Sequence, residues 1–333
     1  MPEEESELID PKYGKLDKET VNLLKEYEVS YFREDKPIPF VDGLVIHPVQ
    51  TRHFEEFAAC SSCLSLNKND DPNGIRMSNL EYLLSKTTLP APEGQIWSYK
   101  IYKLFELIFD LHPGYECMEC HSVLEYNSKE VVEFVKSCQD FVKFLQEHGN
   151  QFPENGEIPP EPQLKCPSCG NEKFRHVMNI GTDPETKKLF LSVNGHIITK
   201  KEFNLLRQIV LFQNFPDYVD DSWVDPDLRR DRDEKLRLEQ RNNDLHASIE
   251  KKVTGLTITT NYKFDEIYNM SIRRFTMALA MVDDLINYKL LKQAQYSGLS
   301  NFPKGFKVDH WMYKPNKDMY GDSYKDTDAL QAV

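Results

Sequence analysis

The sequence predicts a mainly helical α+β fold in which a small cysteine-bearing module is inserted between two helical blocks. Two Cys-x-x-Cys pairs stand in the middle of the chain, and apolar residues recur at helical spacing on both sides of them. Short β-rich runs separated by turn residues follow the second pair. The three predicted blocks are an N-terminal α+β block over 1–112, the inserted module over 113–195, and a C-terminal helical block with an aromatic tail over 196–333.

The composition restricts the class of protein before any motif is considered. The chain has 333 residues, of which 40% are hydrophobic and 11% aromatic, so it can bury a sizeable core. It lacks an apolar stretch of the roughly 18 residues that a membrane span needs. A net charge of −13 argues against a general nucleic-acid surface, because phosphate contacts depend on clustered Lys and Arg. We therefore expect a soluble protein whose partners are other proteins.

Local signals predict four helices and a hairpin in the N-terminal block. Asp17 precedes an apolar-patterned stretch and is expected to cap its helix. Asp42-Gly43 separates two short β-rich runs, which predicts a β-hairpin. Ser78 and Glu81 form a capping-box pattern at the start of another helix. The four helices are expected around 16–27 and over 51–66, 78–85 and 96–111.

The two cysteine pairs are the strongest chemical signal in the sequence. Cys117 and Cys120 form one pair, and Cys166 and Cys169, followed by Gly170, form the other. A Cys-x-x-Cys turn directs two thiolates at one centre, and Zn²⁺ binds four such ligands in a tetrahedron. We predict a zinc-ribbon-like site in which these four cysteines hold Zn²⁺. Its role is predicted to be structural, because four thiolates leave no open coordination position for water or substrate.

The four cysteines also have alternative interpretations. Disulfides would suit an oxidising compartment, whereas the sequence opens with Met1-Pro-Glu-Glu-Glu and no apolar signal segment, which favours a reducing one. A redox-active pair is expected near a βαβ pattern, and the sequence offers none. Scattered core cysteines are the third interpretation.

Three further cysteines and two histidines are considered as other candidate ligands of this site. Cys60 and Cys63 lie in an amphipathic helical pattern, and Cys138 follows an apolar run, so all three are predicted to be small core residues. His121 and His176 flank the two pairs and are reserve ligands. The sequence leaves open whether Cys60, Cys63 or the two histidines take part in metal binding.

The spacing between the two pairs is long for a zinc ribbon. Ordinary ribbons separate their pairs by roughly 15–20 residues, whereas 121–165 forms a longer excursion here. A long insertion is thermodynamically tolerable because the cost of closing a loop rises only slowly with its length. The predicted elements of the module are a helix over 129–147 with Ser128 as N-cap and Gly149 past its end, a Pro-rich loop over 152–162, and strands over 174–193 around a turn at 182–186.

Capping signals predict the helices of the C-terminal block. Thr199 and Glu202 form a capping box, and Asp225-Pro226 places a proline at a helix start. The strongly charged helix that follows is expected to run to about Lys252. The last helix is expected over 271–297, with Gly298 past its end and six apolar residues turned inward: Phe275, Leu279, Val282, Leu285, Ile286 and Leu290.

The sequence contains no recognisable catalytic constellation, so we expect a non-enzymatic protein with no small-molecule substrate. It has no Gly-rich phosphate loop, no His-Glu-x-x-His motif and no nucleophile elbow. Adjacent acids on a helix point to different faces, so Asp283 and Asp284 are predicted to form an exposed patch. Asp220 and Asp221 are more typical of a helix start than of a cation site. His47 is predicted to be a packed histidine.

Two stretches of the chain resemble a known family. The motifs that carry the likeness lie at 38–40, 44–49, 53–57 and 75–84, and again at 266–275, 286–289, 297–299 and 310–312. They are similar to sequences of tailed-bacteriophage morphogenesis proteins of the baseplate hub-assembly and tail assembly chaperone types. The resemblance covers about 37–90 and about 200–313 and leaves the cysteine module as an insertion.

This resemblance implies a non-enzymatic role in building a phage tail or baseplate, or in forming part of one. The implied partners are other tail or baseplate proteins, within an oligomer or a larger assembly. The implied location is the host cytoplasm during assembly, or the virion. No catalytic residues are implied by the resemblance.

The residues also support a second hypothesis, a zinc-ribbon regulator or a nucleic-acid-processing accessory factor. The cysteine pairs favour it, as do four nearby basic residues: Lys165, Lys173, Arg175 and His176. The acidic balance of the chain and the Pro/Glu-rich loop beside the second pair oppose it. Five aromatic residues near the C-terminus fit docking on a protein partner: Phe302, Phe306, Trp311, Tyr313 and Tyr320. For Trp311, packing back on the body of the protein is the alternative.

Overall fold

The computed structural model describes residue 10 and residues 12–148, 160–242, 247–297 and 310–312. It confirms the predicted α+β class, with helices predominating and three small sheets. Several predicted features lie outside the described residues, namely Gly149, most of the Pro-rich loop, Gly298, Phe302, Phe306, Tyr313 and Tyr320.

The described chain contains the following helices and strands. The helices are α1 (Lys18–Ser30), α2 (Phe54–Cys60), α3 (Ser62–Ser65), α4 (Asn79–Lys86), α5 (Glu93–Phe109), α6 (Lys129–His148), α7 (Lys200–Asn214), α8 (Pro226–Asn242), α9 (Ile249–Thr259), α10 (Phe264–Asn269) and α11 (Ile272–Ser297). The strands are β1 (Ile38–Pro39), β2 (Val45–Ile46), β3 (Gly114–Cys117), β4 (Val123–Glu125), β5 (Phe174–His176), β6 (Met178–Thr182), β7 (Leu189–Val193) and β8 (His196–Ile197).

All three sheets are antiparallel. β1 and β2 form the hairpin that the sequence predicts, with Asp42 and Gly43 in the left-handed region at φ of 45° and 79°. The second sheet has the order β4–β3–β5, and the third has the order β6–β7–β8. The second sheet joins a strand from each side of the long excursion, so it positions both cysteine pairs.

Contacts between Cα positions divide the chain into two compact units. The first unit contains described residues of Met1–Lys36, Pro48–Glu55 and Leu211–Val333, and the second contains those of Pro37–His47 and Glu56–Val210. The predicted boundaries at 112 and 195 stay a prediction.

The core of the first unit forms where α9, α10 and α11 meet. Val253, Leu256, Ile267 and Phe275 are almost fully buried there. The aromatic ring of Phe54 packs edge-on against Phe275, with 6.1 Å between the ring centroids. Backbone hydrogen bonds then fix the segment before α2 against the start of α11, since Thr51 donates to Met270 and Ile272 donates to Val49.

The second unit is organised around α4 and α5. The predicted capping box is confirmed, because Ser78 and Glu81 exchange side-chain and backbone hydrogen bonds at the start of α4. Burial concentrates on one face of α5, in Ile101, Leu104, Phe105 and Ile108. The last of these residues also accepts a backbone hydrogen bond from His47, the half-buried histidine after β2.

Three helix predictions are wrong in their detail. The helix predicted over 51–66 is interrupted, so α2 and α3 are separate short helices. The charged helix predicted to reach Lys252 ends at Asn242, and Ser248 caps a new helix, α9, by accepting a hydrogen bond from the Lys251 backbone. Ser128 precedes α6 as predicted, but its buried hydroxyl makes no hydrogen bond within the described chain.

The inward face of α11 is only partly as predicted. Phe275 is buried, and Leu279 and Val282 pack against the core, but Ile286 is 41% exposed and Leu290 is 58% exposed. The part of α11 after Val282 extends beyond this core, so helical periodicity overestimated burial there. The expected exposed patch is also wrong for Asp284, which is 8% exposed.

The pH dependence of stability tests the role of His196 in the second unit. Burial alone would lower the pKa of His196, but a hydrogen bond to Glu202 (3.1 Å) and an ion pair with Asp42 outweigh burial and raise it. A raised folded-state pKa means that this stabilisation is present below the ordinary pKa of 6.5 and is lost as pH rises through the folded value. We expect the free energy of unfolding to fall between about pH 6 and about pH 8.5.

The measurement is urea denaturation of the wild type and of His196→Gln at both pH values. The variant is expected to lose about 1 kcal/mol at the lower pH and to show a weaker pH dependence. Equal pH dependence in the two proteins would contradict this role for His196.

Candidate metal centre

The four predicted cysteine ligands converge where β3 ends and β5 begins. All four sulfur atoms lie within 4.8 Å of one another, and the pairs Cys117–Cys169 and Cys120–Cys166 are each 3.5 Å apart. A disulfide would require about 2.05 Å, so these are separate thiols. Tetrahedral zinc, with Zn–S distances of about 2.3 Å, has sulfur–sulfur edges of about 3.8 Å. The cluster therefore has the size and the donor set that suit a single tetrahedral ion.

The two Cys-x-x-Cys turns have the same backbone hydrogen bonds. Cys117 donates to the carbonyl of Ser122, and Cys166 donates to the carbonyl of Asn171, in both cases five residues ahead. The carbonyls of these two cysteines accept in turn from His121 and Gly170, four residues ahead. In each pair the first cysteine is buried and the second is exposed. The two pairs are thus equivalent knuckles, each presenting one inner and one outer sulfur.

Each knuckle also requires a left-handed residue directly after its second cysteine. Gly170 takes this position with φ of 75°, a conformation that glycine adopts without steric cost. His121 takes the equivalent position with φ of 57°, which is strained for a residue with a Cβ atom. Its ring Nδ1–H donates a 2.8 Å hydrogen bond to the carboxylate of Glu116, which helps to hold the conformation.

Short strand pairing brings the two knuckles together. Cys117 lies opposite Phe174 in the β3–β5 register, and the next residue, Met118, donates to the carbonyl of Lys173. A small apolar cluster of Leu124, Val131 and Leu164 supports this sheet from the excursion between the knuckles. The excursion therefore has its own core beside the sulfur cluster.

Glu116 clamps the sheet next to the first knuckle. It is 8% exposed, and its carboxylate accepts a 2.7 Å hydrogen bond from Arg175, its cross-strand partner in the β3–β5 register. His121 bonds the other carboxylate oxygen. Burial alone would raise the pKa of Glu116, but these two partners outweigh burial and lower it. Glu116 is not among the candidate residues predicted from the sequence, because the sequence predicts no strand over 114–117 that would face the one containing Arg175.

Ser122 influences the protonation of the sulfur cluster. Its hydroxyl lies 3.1 Å from Cys120 Sγ and 3.2 Å from Cys166 Sγ, and this contact lowers the pKa of Cys166 to about 6. The backbone N–H of Asn171 favours the thiolate of Cys169, but burial and the neighbouring cysteines outweigh it and raise the pKa of Cys169 to about 12. Without a cation between them, four thiolates at these distances would repel one another.

The other candidate ligands lie elsewhere. His176 is 3.1 Å from the hydroxyl of Tyr126 and stacks near Tyr115, while His121 contacts Glu116. Cys60 and Cys63 are buried core residues, as predicted, and burial raises the pKa of each to about 12. Cys138 is half-buried on α6. Within the described chain, no second group of three or more His, Cys, Asp or Glu side chains is close enough to share an ion.

The acidic pairs singled out from the sequence do not join a metal site in the described part of the chain. Asp220 is buried, and its backbone carbonyl accepts from the indole of Trp223. Asp221 forms an ion pair with Arg232. Asp283 accepts a hydrogen bond from Asn287.

Comparison with known proteins locates one similarity, in the first unit. The family model described as the YomV second domain matches residues 239–316, less than half of the chain. That family is phage-derived, so residues 239–316 are similar to a phage domain. The match contains α9, α10 and α11 and lies outside the sulfur cluster. No curated protein and no solved structure matches the chain.

Of the helices described, none combines the length and apolar character needed to cross a membrane.

Metal analysis tests the cluster directly. We expect one metal ion per chain in protein purified under reducing conditions, and none in Cys166→Ser/Cys169→Ser, because two thiolates do not complete a tetrahedral site. The measurement is elemental analysis combined with native mass. Cys138→Ser is the matched control and is expected to keep its metal. Full metal content in the double variant would contradict the assignment.

Metal retention against a chelator and amide hydrogen exchange together test the role of Glu116. Glu116→Ala removes a buried carboxylate that orients Arg175 and His121, so we expect about tenfold weaker metal retention against a chelator. Faster amide exchange is expected in β3 and β5, with α11 unchanged. Glu185→Ala, in the exposed turn between β6 and β7, is the charge-matched control. Unchanged metal retention in Glu116→Ala would show that the clamp is dispensable.

Proposed function

We propose that the protein is a non-enzymatic structural or assembly protein of a bacteriophage tail or baseplate, and that Zn²⁺ holds its inserted module together. The observation that carries the proposal is the match of residues 239–316 to a phage-derived domain family. The resemblance of the N-terminal and C-terminal stretches to tail and baseplate morphogenesis proteins gives the proposal its finer form. The partners are then other tail or baseplate proteins.

The chemistry of the cluster supports zinc in a structural role. Four cysteine sulfurs form a soft donor set, which selects zinc over magnesium or calcium. Because all four tetrahedral positions are taken by cysteine, such an ion offers no site for water or substrate. Zinc at this position would stabilise the excursion without performing catalysis.

The surface of the module favours a protein partner. Apolar side chains on α6 remain accessible, with Val132 54% exposed and Val142 50% exposed. A shallow groove beside them is lined by Tyr115, Phe134 and Cys138. Accessible apolar side chains beside a groove are typical of surfaces that bind other proteins.

The alternative of a nucleic-acid-binding ribbon is less well supported by the charges near the knuckles. Arg175 is engaged by Glu116, and Lys165 forms a 3.0 Å ion pair with Glu172. Two of the three Lys and Arg residues named beside the knuckles are therefore neutralised, and Lys173 alone of the three is left for phosphate contacts. We propose that the protein acts in the host cytoplasm during assembly and that it can be retained in the virion.

Genetic deletion tests the proposal. Removing the gene from the phage genome that encodes it should give lysates whose particles lack complete tails or baseplates in negative-stain electron microscopy. Wild-type protein supplied from a plasmid should restore complete particles, and so should Glu185→Ala, which lies outside both the groove and the cysteine cluster. Cys166→Ser/Cys169→Ser should fail to restore them. Complete, infectious particles in the deletion lysate would falsify the tail or baseplate role.

A further inference from the structure

A groove of about 950 Å³ lies within the first unit, between the end of α1 and the helices α10 and α11. Its apolar lining includes Phe32, Met270 and Met277. Met277 is 44% exposed and Tyr262, also in the lining, is 48% exposed; Phe264 beside it is 49% exposed. An accessible apolar groove of this kind on a protein surface indicates a site where another molecule packs.

Most charged groups that line this groove already have partners inside the first unit. Arg273 donates to the carbonyl of Phe212 and to the carboxylate of Glu28. The second oxygen of Glu28 is 3.0 Å from the ammonium of Lys12. These charges are fixed by the fold, so they are not available to a partner.

Two further lining charges, on α10 and α11, are also engaged within the unit. Arg274 forms a 2.8 Å ion pair with Asp35. Glu266 accepts a 2.8 Å hydrogen bond from the backbone of Lys263 at the start of α10. Both side chains therefore serve the internal structure of the unit.

Two exposed lining charges, one of each sign, form neither an ion pair nor a capping hydrogen bond within the described chain. Arg33 follows α1 and Asp265 lies in the first turn of α10; both line the groove, and neither forms an ion pair with another residue of the described chain. Arg33 feels Glu28 only at longer range, because the carboxylate of Glu28 is already held by Lys12 and Arg273. One guanidinium and one carboxylate thus remain available at the same apolar surface.

We infer that this groove is a two-fold interface between two copies of the chain, in which Arg33 of each copy pairs with Asp265 of the other. A two-fold interface uses the same patch on both subunits, so the patch must be complementary to itself. One unpaired cation and one unpaired anion beside a shared apolar surface satisfy this condition, because the two-fold axis creates both pairs at once. A different partner would have to supply an acid and a base at matching positions.

The two kinds of contact have different roles. Burial of Tyr262, Met277 and the groove lining supplies most of the free energy of association. The Arg33–Asp265 pairs set the register and exclude wrong orientations, because like charges placed opposite each other are strongly unfavourable. This inference concerns the first unit alone and does not depend on the metal or on the tail or baseplate role.

Charge reversal and mixing test the interface in the metal-loaded full chain. Arg33→Glu places Glu opposite Asp265, and Asp265→Lys places Lys opposite Arg33, so each variant alone should dissociate at least about tenfold more readily than the wild type. An equimolar mixture of the two variants restores an attractive pair at both positions. Sedimentation velocity and native mass spectrometry should therefore detect wild-type dimers, monomeric single variants, and mixed dimers containing one copy of each variant.

Controls separate this result from loss of folding or of net charge. Asp283→Lys reverses an exposed carboxylate on α11 that does not line the groove, and it should remain dimeric. Circular dichroism melting of both single variants should match the wild type, and recovery in the mixture independently requires that both are folded. A monomeric wild type would assign the groove to a different protein and overturn the inference. Single variants that remain dimeric, or a mixture that stays monomeric, would overturn it as well.

Discussion

Closure of the cysteine knuckles is the constraint on which the β4–β3–β5 sheet and the excursion between the knuckles depend. Cys117 and Cys169 are 52 positions apart in the chain, yet the strands that join them, β3 and β5, pair over only three residues. Closing a loop of that length costs conformational entropy, and three register pairs with a small apolar cluster offset little of it. Four sulfurs that share one ion would stabilise the pairing of these two strands. The buried Glu116–Arg175 pair then fixes their register, since a shift by one residue would separate the carboxylate from the guanidinium.

The sequence predicts this site better than the fold around it, because the site is encoded locally. Each Cys-x-x-Cys turn is complete within six residues, and Gly170 marks the left-handed position of the second knuckle. The clamp could not be predicted in the same way, because Glu116 and Arg175 are adjacent only after the two strands pair. His121 shows the same limit, since nothing local to that residue marks it as left-handed; only its equivalence to Gly170 does so.

The helices follow the same division between local and distant determinants. The capping boxes at Ser78 and Thr199 are confirmed, because each is formed by side chains three residues apart. Ile286 and Leu290 fit a helical apolar stripe, but their exposure depends on where the core of α9, α10 and α11 ends. Periodicity gives the direction in which a side chain points and contains no information about whether another element lies there.

Net charge limits how copies of this chain can associate. Each chain carries a formal charge of −13, so long-range repulsion opposes any contact between two copies at low ionic strength. Short-range burial of apolar surface must then supply the free energy, and charged groups at the contact must be paired in order not to add to the repulsion. The groove of the first unit meets both requirements with few residues: Glu28, Arg273 and Arg274 are paired internally and Glu266 caps α10, while Arg33 and Asp265 remain as one cation and one anion. The same neutralisation occurs at the cysteine module, where Glu116 engages Arg175 and Glu172 engages Lys165. In both places apolar surface remains accessible beside ion pairs formed within the fold, which lowers the charge repulsion that an approaching acidic chain would meet there.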